Sequence, residues 1–270
     1  AQFRFLQRLL LVHGHWNHRR ACKFILYTFW KNAVLTLMLF YYTLISGFSG
    51  TSMFEPLTWA SFNAILAFPV IATGVFDRDV DAKQALDHPW LYATGRERTD
   101  LNSIKMVETM VSAFLHSMIL LGVIFLAYNG LDMADLGDYF TFSTATYSWL
   151  VMAMNYRVAF ITTTWNVMTV LALLSSFLMY ITFIVVYSLF APSLGQPMMH
   201  GVCWRLAAAP LFWIGSLAVP AFAMMTDVFK AYLMLEILPD SVDLVLETQK
   251  AGKQLQVELV SECSVQFEDR

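Results

Sequence analysis

The sequence is poor in charge. Asp, Glu, Lys and Arg make up 14% of its 270 residues, against about 25% in an ordinary soluble domain. Apolar residues reach 58%, above the usual share of roughly 45–50%, and the mean hydropathy is +0.56. A soluble fold of this length still exposes about a quarter of its unfolded surface and cannot hide so much apolar area. The shortage of charge therefore excludes a soluble enzyme, a disordered tail and a nucleic-acid binder. Nor is there a basic excess: 17 Lys and Arg face 20 Asp and Glu, a net charge of −3, so no global basic field draws in DNA or RNA. Cysteine is scarce too. Cys22, Cys203 and Cys263 lie far apart, which leaves no disulfide framework and no zinc spacing. There is no N-x-S/T sequon to mark an outer loop. The chain opens on Ala1 with no initiator Met and no signal-peptide pattern, and Ala1 reads as a cut end of a longer protein.

What is present is a set of long apolar runs. A transmembrane helix needs about 20 mostly apolar residues, and six stretches qualify: 24–45, 57–76, 106–128, 139–156, 167–190 and 206–225. They delimit a membrane region over 24–233, with polar ends at 1–23 and 234–270. The expected fold is all-α and integral to the membrane. Positive charge orients it. If residue 1 starts inside, 15 of the 17 Lys and Arg fall on the inner side, Arg205 alone lies in an outer connector, and Lys31 lies within a span. Both termini are expected to be cytoplasmic.

Lys31 is the misplaced charge. It is the eighth residue of its span, about 11–12 Å in from the inner edge at the helical rise. A mid-membrane Lys costs at least about 2.5–3.5 kcal/mol on insertion scales and faces a cavity or a partner unless it snorkels back to the interface. Asp77, Glu108 and Asp227 all fall at the inner ends of their expected spans and Glu55 at the outer side, so no carboxylate is expected at mid-depth. Lys31 is then left to carbonyls, to helices outside this chain or to an anionic group such as a phosphate. The same lack argues against a metal-cation pathway and a metal site, since hard cations need clustered oxygen ligands.

Asn32 follows Lys31, about 100° further round the helix. Asn63 and Pro69 sit in the second span, and the proline frees a carbonyl near Ile65 by removing a helical hydrogen bond. These residues suit a stepwise path for a polar headgroup, and they equally suit plain interhelical hydrogen bonding and a proline kink. His116, in the third span, reads as a packed, hydrogen-bonded histidine or as a proton relay. The run from Thr141 to Ser148 marks a close helix contact through small residues. Pro210 and Pro220 are expected to kink the last span. Asp77-Arg78-Asp79 reads as a salt-bridged loop anchor, with cation binding as the other possibility.

The stretch from Phe3 to Gly95 resembles the membrane part of the phospholipid-translocating P-type ATPases. The similarity is carried by Leu11-Val12-His13-Gly14 with Trp16, Arg20 and Lys23, by Tyr27, Phe29 and Lys31-Asn32, and by the turn Ser46-Gly47-Phe48-Ser49. It continues through Phe62-Asn63, Pro69-Val70, Gly74, Asp77-x-Asp79-Val80 and Pro89-x-Leu91-Tyr92-x-x-Gly95. Beyond Gly95 it rests on Asn102, on Trp165 and on the pattern of four further helices. Leu39, Phe68 and Ser175-Ser176 depart from the family pattern.

The resemblance implies the fifth to tenth helices of a ten-helix flippase, with residues 1–23 as the end of its cytoplasmic stalk. It implies that the whole protein uses Mg2+ and ATP to phosphorylate a cytoplasmic Asp and moves an aminophospholipid or related lipid from the outer to the inner leaflet. Lys31, Asn32, Asn63 and Pro69 would line the headgroup path. Implied partners are the lipid, the remaining N-terminal helices and cytoplasmic domains, and the family's two-span glycosylated accessory subunit. The implied location is the plasma membrane or a Golgi or endosomal membrane. This stretch carries no D-K-T-G-T phosphorylation motif and no T-G-E motif, so no catalytic residue and no bound cofactor are expected in it. Two other readings stand beside this one: a self-contained six-helix channel or secondary transporter using Lys31 and His116, and a catalytically inactive membrane scaffold.

Overall fold

A computed structural model of the chain describes residues 3–130 and 139–237. The connector residues Asp132, Asp135 and Asp138, the acidic tail from Leu238 and Cys263 lie outside the described residues. Every regular element among the described residues is helical. Helix α1 (Arg4–Arg8) passes through a π-helical stretch, Leu9–Gly14, into α2 (His15–Ile45). Then come α3 (Pro56–Ile65) and α4 (Ala67–Phe76), the short α5 (Ala82–Asp87) and α6 (Ala93–Arg96), and the long α7 (Ser103–Gly130), α8 (Tyr139–Ile161) and α9 (Val167–Phe190). A short α10 (Val202–Ala208) precedes α11 (Pro210–Ile237).

Local chemistry sets the boundaries. Helix α2 stops where Gly47 enters the left-handed region at φ +63°, with Phe48 N–H returning to the Thr43 carbonyl at 3.0 Å. Glu55 caps α3: its carboxylate accepts from the N–H groups of Leu57 and Thr58 at 2.8 and 3.1 Å, with Pro56 in the first helical position. Asn102 caps α7 by accepting from Lys105 N–H at 2.8 Å. Pro210 opens α11 instead of kinking a continuous last span. Having no N–H, it cannot continue α10, but it suits a helix start. The last helix runs on to Ile237.

The second span is two helices. Pro69 stands in the first turn of α4, so no N–H can reach the Ile65 carbonyl, and Leu66 leaves the helix at φ −89°, ψ 5°. Ser176 of α9 donates its hydroxyl to that carbonyl at 3.0 Å, which satisfies it inside the bundle.

Helices stand over all six apolar stretches, and among the described residues five spans are long and apolar enough to cross a membrane: Phe5–Ile45, Pro56–Phe76, Ser103–Phe125, Val167–Leu194 and Pro210–Met234. The other, α8, is the difference from the expectation. Fourteen of its 23 residues are buried, because α2, α4, α9, α10 and α11 all pack on it. A helix that touches protein on most sides has little need of an apolar exterior. Its small polar residues bond across the interfaces: Ser143 donates to the Met53 carbonyl at 2.5 Å and Ser148 pairs with the Tyr180 hydroxyl. At the α11 contact a Cβ on Gly215 would run into the Trp149 ring, so only glycine permits that approach. The core around α8 includes Trp30, Val34, Met38, Phe54, Phe62, Ile65 and Tyr147.

Candidate functional site

Lys31 lies on α2 where it faces α3 and is 5% exposed. Its ammonium donates to Asn63 Oδ1 at 2.5 Å and sits 5.1 Å from the centroid of the Phe62 ring. The charge thus rests on an amide oxygen and an aromatic face, with no ion pair to it among the described residues. Asn63 itself is exposed on α3. This pair is the one point where two of the four expected path residues meet.

The other two are elsewhere. Asn32 is exposed one helical step round. It lines a groove of about 550 Å³ with Phe29, Thr36, Met110 and Phe114, between α2 and α7. Pro69 is buried, and the carbonyl that it releases is held by Ser176.

The inner ends are joined by charge. Asp77 is almost wholly enclosed: its carboxylate accepts from Lys23 at 2.6 Å, from the N–H groups of Thr163 and Thr164 at 2.9 Å, and from the Thr163 hydroxyl at 2.8 Å. Arg20 donates to the Asp77 carbonyl, and Trp16 donates to the Val80 carbonyl at 2.9 Å beneath the Arg78 guanidinium. Asp79 bonds His15 at 2.8 Å and lies 3.5 Å from Arg19. Burial opposes its ionised form, but the His15 hydrogen bond and the Arg19 charge prevail and hold the carboxyl below its ordinary value. Asp77-Arg78-Asp79 is therefore an anchor saturated with donors. Among the described residues no three His, Cys, Asp or Glu side chains are grouped to hold a metal ion.

A second buried polar cluster is absent from the sequence reading. Trp30 Nε1 donates to His116 Nδ1 at 3.0 Å, and His116 Nε2 lies 2.7 Å from the Thr226 hydroxyl. Arg157 pairs with Asp227 and lies 4.7 Å from the Trp30 ring centroid. Ser112 bridges the two, donating to Asp227 and accepting from Arg157, each at 3.3 Å. Asp227 was expected at the inner end of its span, but α11 begins later and runs further, which places this carboxylate inside the candidate span Pro210–Met234. The signal in the sequence was the pairing of one Arg near the end of α8 with one Asp in an apolar run; their separation of 70 residues hid it. His116 has both ring nitrogens engaged, as a packed, hydrogen-bonded histidine requires.

Residues 1–240 match the family model described as phospholipid-translocating P-type ATPase C-terminal. The chain is similar to phospholipid-transporting ATPase C887.12 of Schizosaccharomyces pombe, 31% identical over 255 residues, which covers 93% of this chain and 20% of that protein. It is likewise similar to phospholipid-transporting ATPase IC of Xenopus tropicalis (30% identical; 96% of this chain and 21% of the relative). For phospholipid-transporting ATPase DRS2 of Saccharomyces cerevisiae the figures are 29% identity, 93% of this chain and 19% of the relative. The chain thus spans about a fifth of the length of these relatives. A self-contained channel or secondary transporter does not fit them.

Proposed function

Because the chain belongs to the phospholipid-translocating P-type ATPase family, as a stretch of its C-terminal membrane region, we propose that it supplies part of the headgroup path in an ATP-driven lipid flippase. In this reading the whole protein moves an aminophospholipid or related lipid from the outer to the inner leaflet. Both ends of this stretch then face the cytoplasm. The observation that carries the proposal is the Lys31–Asn63 pair: a buried ammonium held by a neutral amide, with no carboxylate paired to it among the described residues.

An ammonium has three N–H donors, and Asn63 takes one of them. A phosphodiester oxygen can take another, and a charge-assisted hydrogen bond in a water-poor site is stronger than one in water. A carboxylate in place of Asn63 would compete with the phosphate; an amide oxygen yields. Asn32 faces a different groove, so its part in the path is a separate contact on the α7 side. Pro69 acts through the break at Leu66, which fixes where α3 ends just beyond Asn63. ATP and Mg2+ chemistry is assigned to other parts of the protein, since this stretch carries neither a D-K-T-G-T nor a T-G-E motif. Those parts, and a two-span accessory subunit, are the proposed partners in a plasma-membrane, Golgi or endosomal setting.

Lys31→Ala in the full-length protein is expected to lower phospholipid-stimulated dephosphorylation about tenfold or more, the order of one charged hydrogen bond lost. Phosphorylation by ATP should stay close to wild type. Lipid stimulation equal to wild type in that variant would remove Lys31 from the path. A full-length protein that forms no phosphoenzyme at all would make it the inactive scaffold instead.

A further inference from the structure

Trp30 immediately precedes Lys31 and is completely buried. Its indole N–H can only donate, so His116 Nδ1, 3.0 Å away, must be the acceptor and carry no proton. The ring proton then sits on Nε2 and points at the Thr226 hydroxyl at 2.7 Å, and Thr226 passes its own hydrogen to the Ala223 carbonyl at 3.0 Å. The direction of the whole chain of bonds is fixed by the indole. The face of the same indole lies against the Arg157 guanidinium, which Asp227 and Ser112 hold. Helices α7 and α8 therefore grip one side chain of α2 by edge and face, and α11 holds both gripping residues from behind through Thr226 and Asp227.

Successive residues on a helix are set about 100° apart, so fixing the azimuth of Trp30 fixes that of Lys31. A rotation of α2 by about 15° swings an atom about 5 Å from the axis by more than 1 Å. Directed away from Asn63, a swing of that size stretches the 2.5 Å bond past the roughly 3.5 Å at which hydrogen bonds fail, and the methylenes of Lys31 must then re-extend to keep it. We propose that His116 is a positioning residue for the lipid step: acting through Trp30, it sets the rotation of α2 that aims Lys31 at the headgroup. This rests on the reading of Lys31 as a headgroup contact.

The test uses the full-length protein with its natural partners, and follows phosphoenzyme formed from ATP and its decay as phosphatidylserine-containing or phosphatidylcholine-containing lipid is titrated. His116→Ala should raise the half-saturating lipid concentration about five- to tenfold, the loss of one buried hydrogen bond, while phosphoenzyme formation holds. His116→Asn, whose amide oxygen falls where Nδ1 was, should restore most of the affinity. His116→Gln, which reaches Thr226 but leaves the indole unserved, should not. Trp30→Phe should match His116→Ala, and the double variant should add nothing. Equal behaviour of the Asn and Gln variants, additive single effects, or a parallel loss of phosphoenzyme would overturn the proposal and reduce His116 to packing. If Lys31→Ala is defective while the His116 series is flat, the headgroup reading stands and the positioning role falls. If Lys31→Ala behaves as wild type, the headgroup reading itself falls, and this inference with it.

Discussion

At Ile65 a single hydroxyl decides whether a buried carbonyl is served. Proline at position 69 made that carbonyl an orphan, and Ser176, wholly buried on another helix, is the donor that reaches it. Ser176→Ala is expected to destabilise the protein by about 1–3 kcal/mol, the cost of leaving a buried acceptor unpaired. Neighbouring Ser175, whose hydroxyl only returns to the Ala172 carbonyl of its own helix, should tolerate Ala with little change. Unfolding of the two variants in the same detergent measures the difference, and equal stability would show that Ser176 does not hold the carbonyl. The residue-level chemistry was partly legible. The freed carbonyl near Ile65 follows from proline alone, but its donor lies 111 residues away, and no local pattern identifies it. The same holds for Lys31: its lack of a carboxylate could be read along the chain, whereas its attachment to Asn63 needed the packing of α2 against α3 and α4.

Among the elements, α8 shows how burial changes what a membrane helix must be made of. It is the one long helix whose apolarity falls short of a span, and it is held instead by Ser143, Ser148 and the tight seat of Trp149 over Gly215. A helix entering lipid alone partitions on its own hydropathy, so α8 should depend on its neighbours. A chain stopped after residue 161 is expected to leave α8 incompletely inserted in a glycosylation-mapping assay. The chain continued through 237, with α9 and α11 added, should insert it fully, and equal insertion in the two would contradict this. Hydropathy located the other five spans because a long apolar run stands out along the chain without any knowledge of packing. It misjudged the last one by crediting Pro210 with a kink, when proline is better placed at a helix start, and that shift is what concealed Asp227 within a span.

For the molecule as a whole, ionic ties join helices that are distant in sequence. Arg157 and Asp227 are 16% and 7% exposed in their side chains and connect α8 to α11 while touching Trp30 of α2 and Ser112 of α7. Removing one partner of a well-buried pair costs up to about 3–5 kcal/mol, mostly from the charge left behind, and replacing both by apolar groups costs far less. Asp227→Leu should therefore unfold more readily than the double variant Asp227→Leu with Arg157→Met. A double variant as unstable as the sum of its singles would show no coupling in the unfolding cycle. Composition announced a membrane protein and the resemblance announced its family, but neither could show a saturated anchor at Asp77, a coupled Arg157–Asp227 pair beside Trp30 and a buried Lys31 ammonium held by an amide.

The break at Leu66 has a mechanical consequence. Helix α4 is tied at its inner end through Asp77 to Lys23 and the turn at Thr163, and α3 is tied at its outer end through the backbone of Ser52 and Met53 to α8. The two rods meet at one non-helical residue, with Ser176 beside the joint. A displacement applied at the inner end is expected to reach Asn63 as a change of angle at a knee and not as the travel of a rigid piston. The second span is built as two bars whose joint is pinned by a single serine.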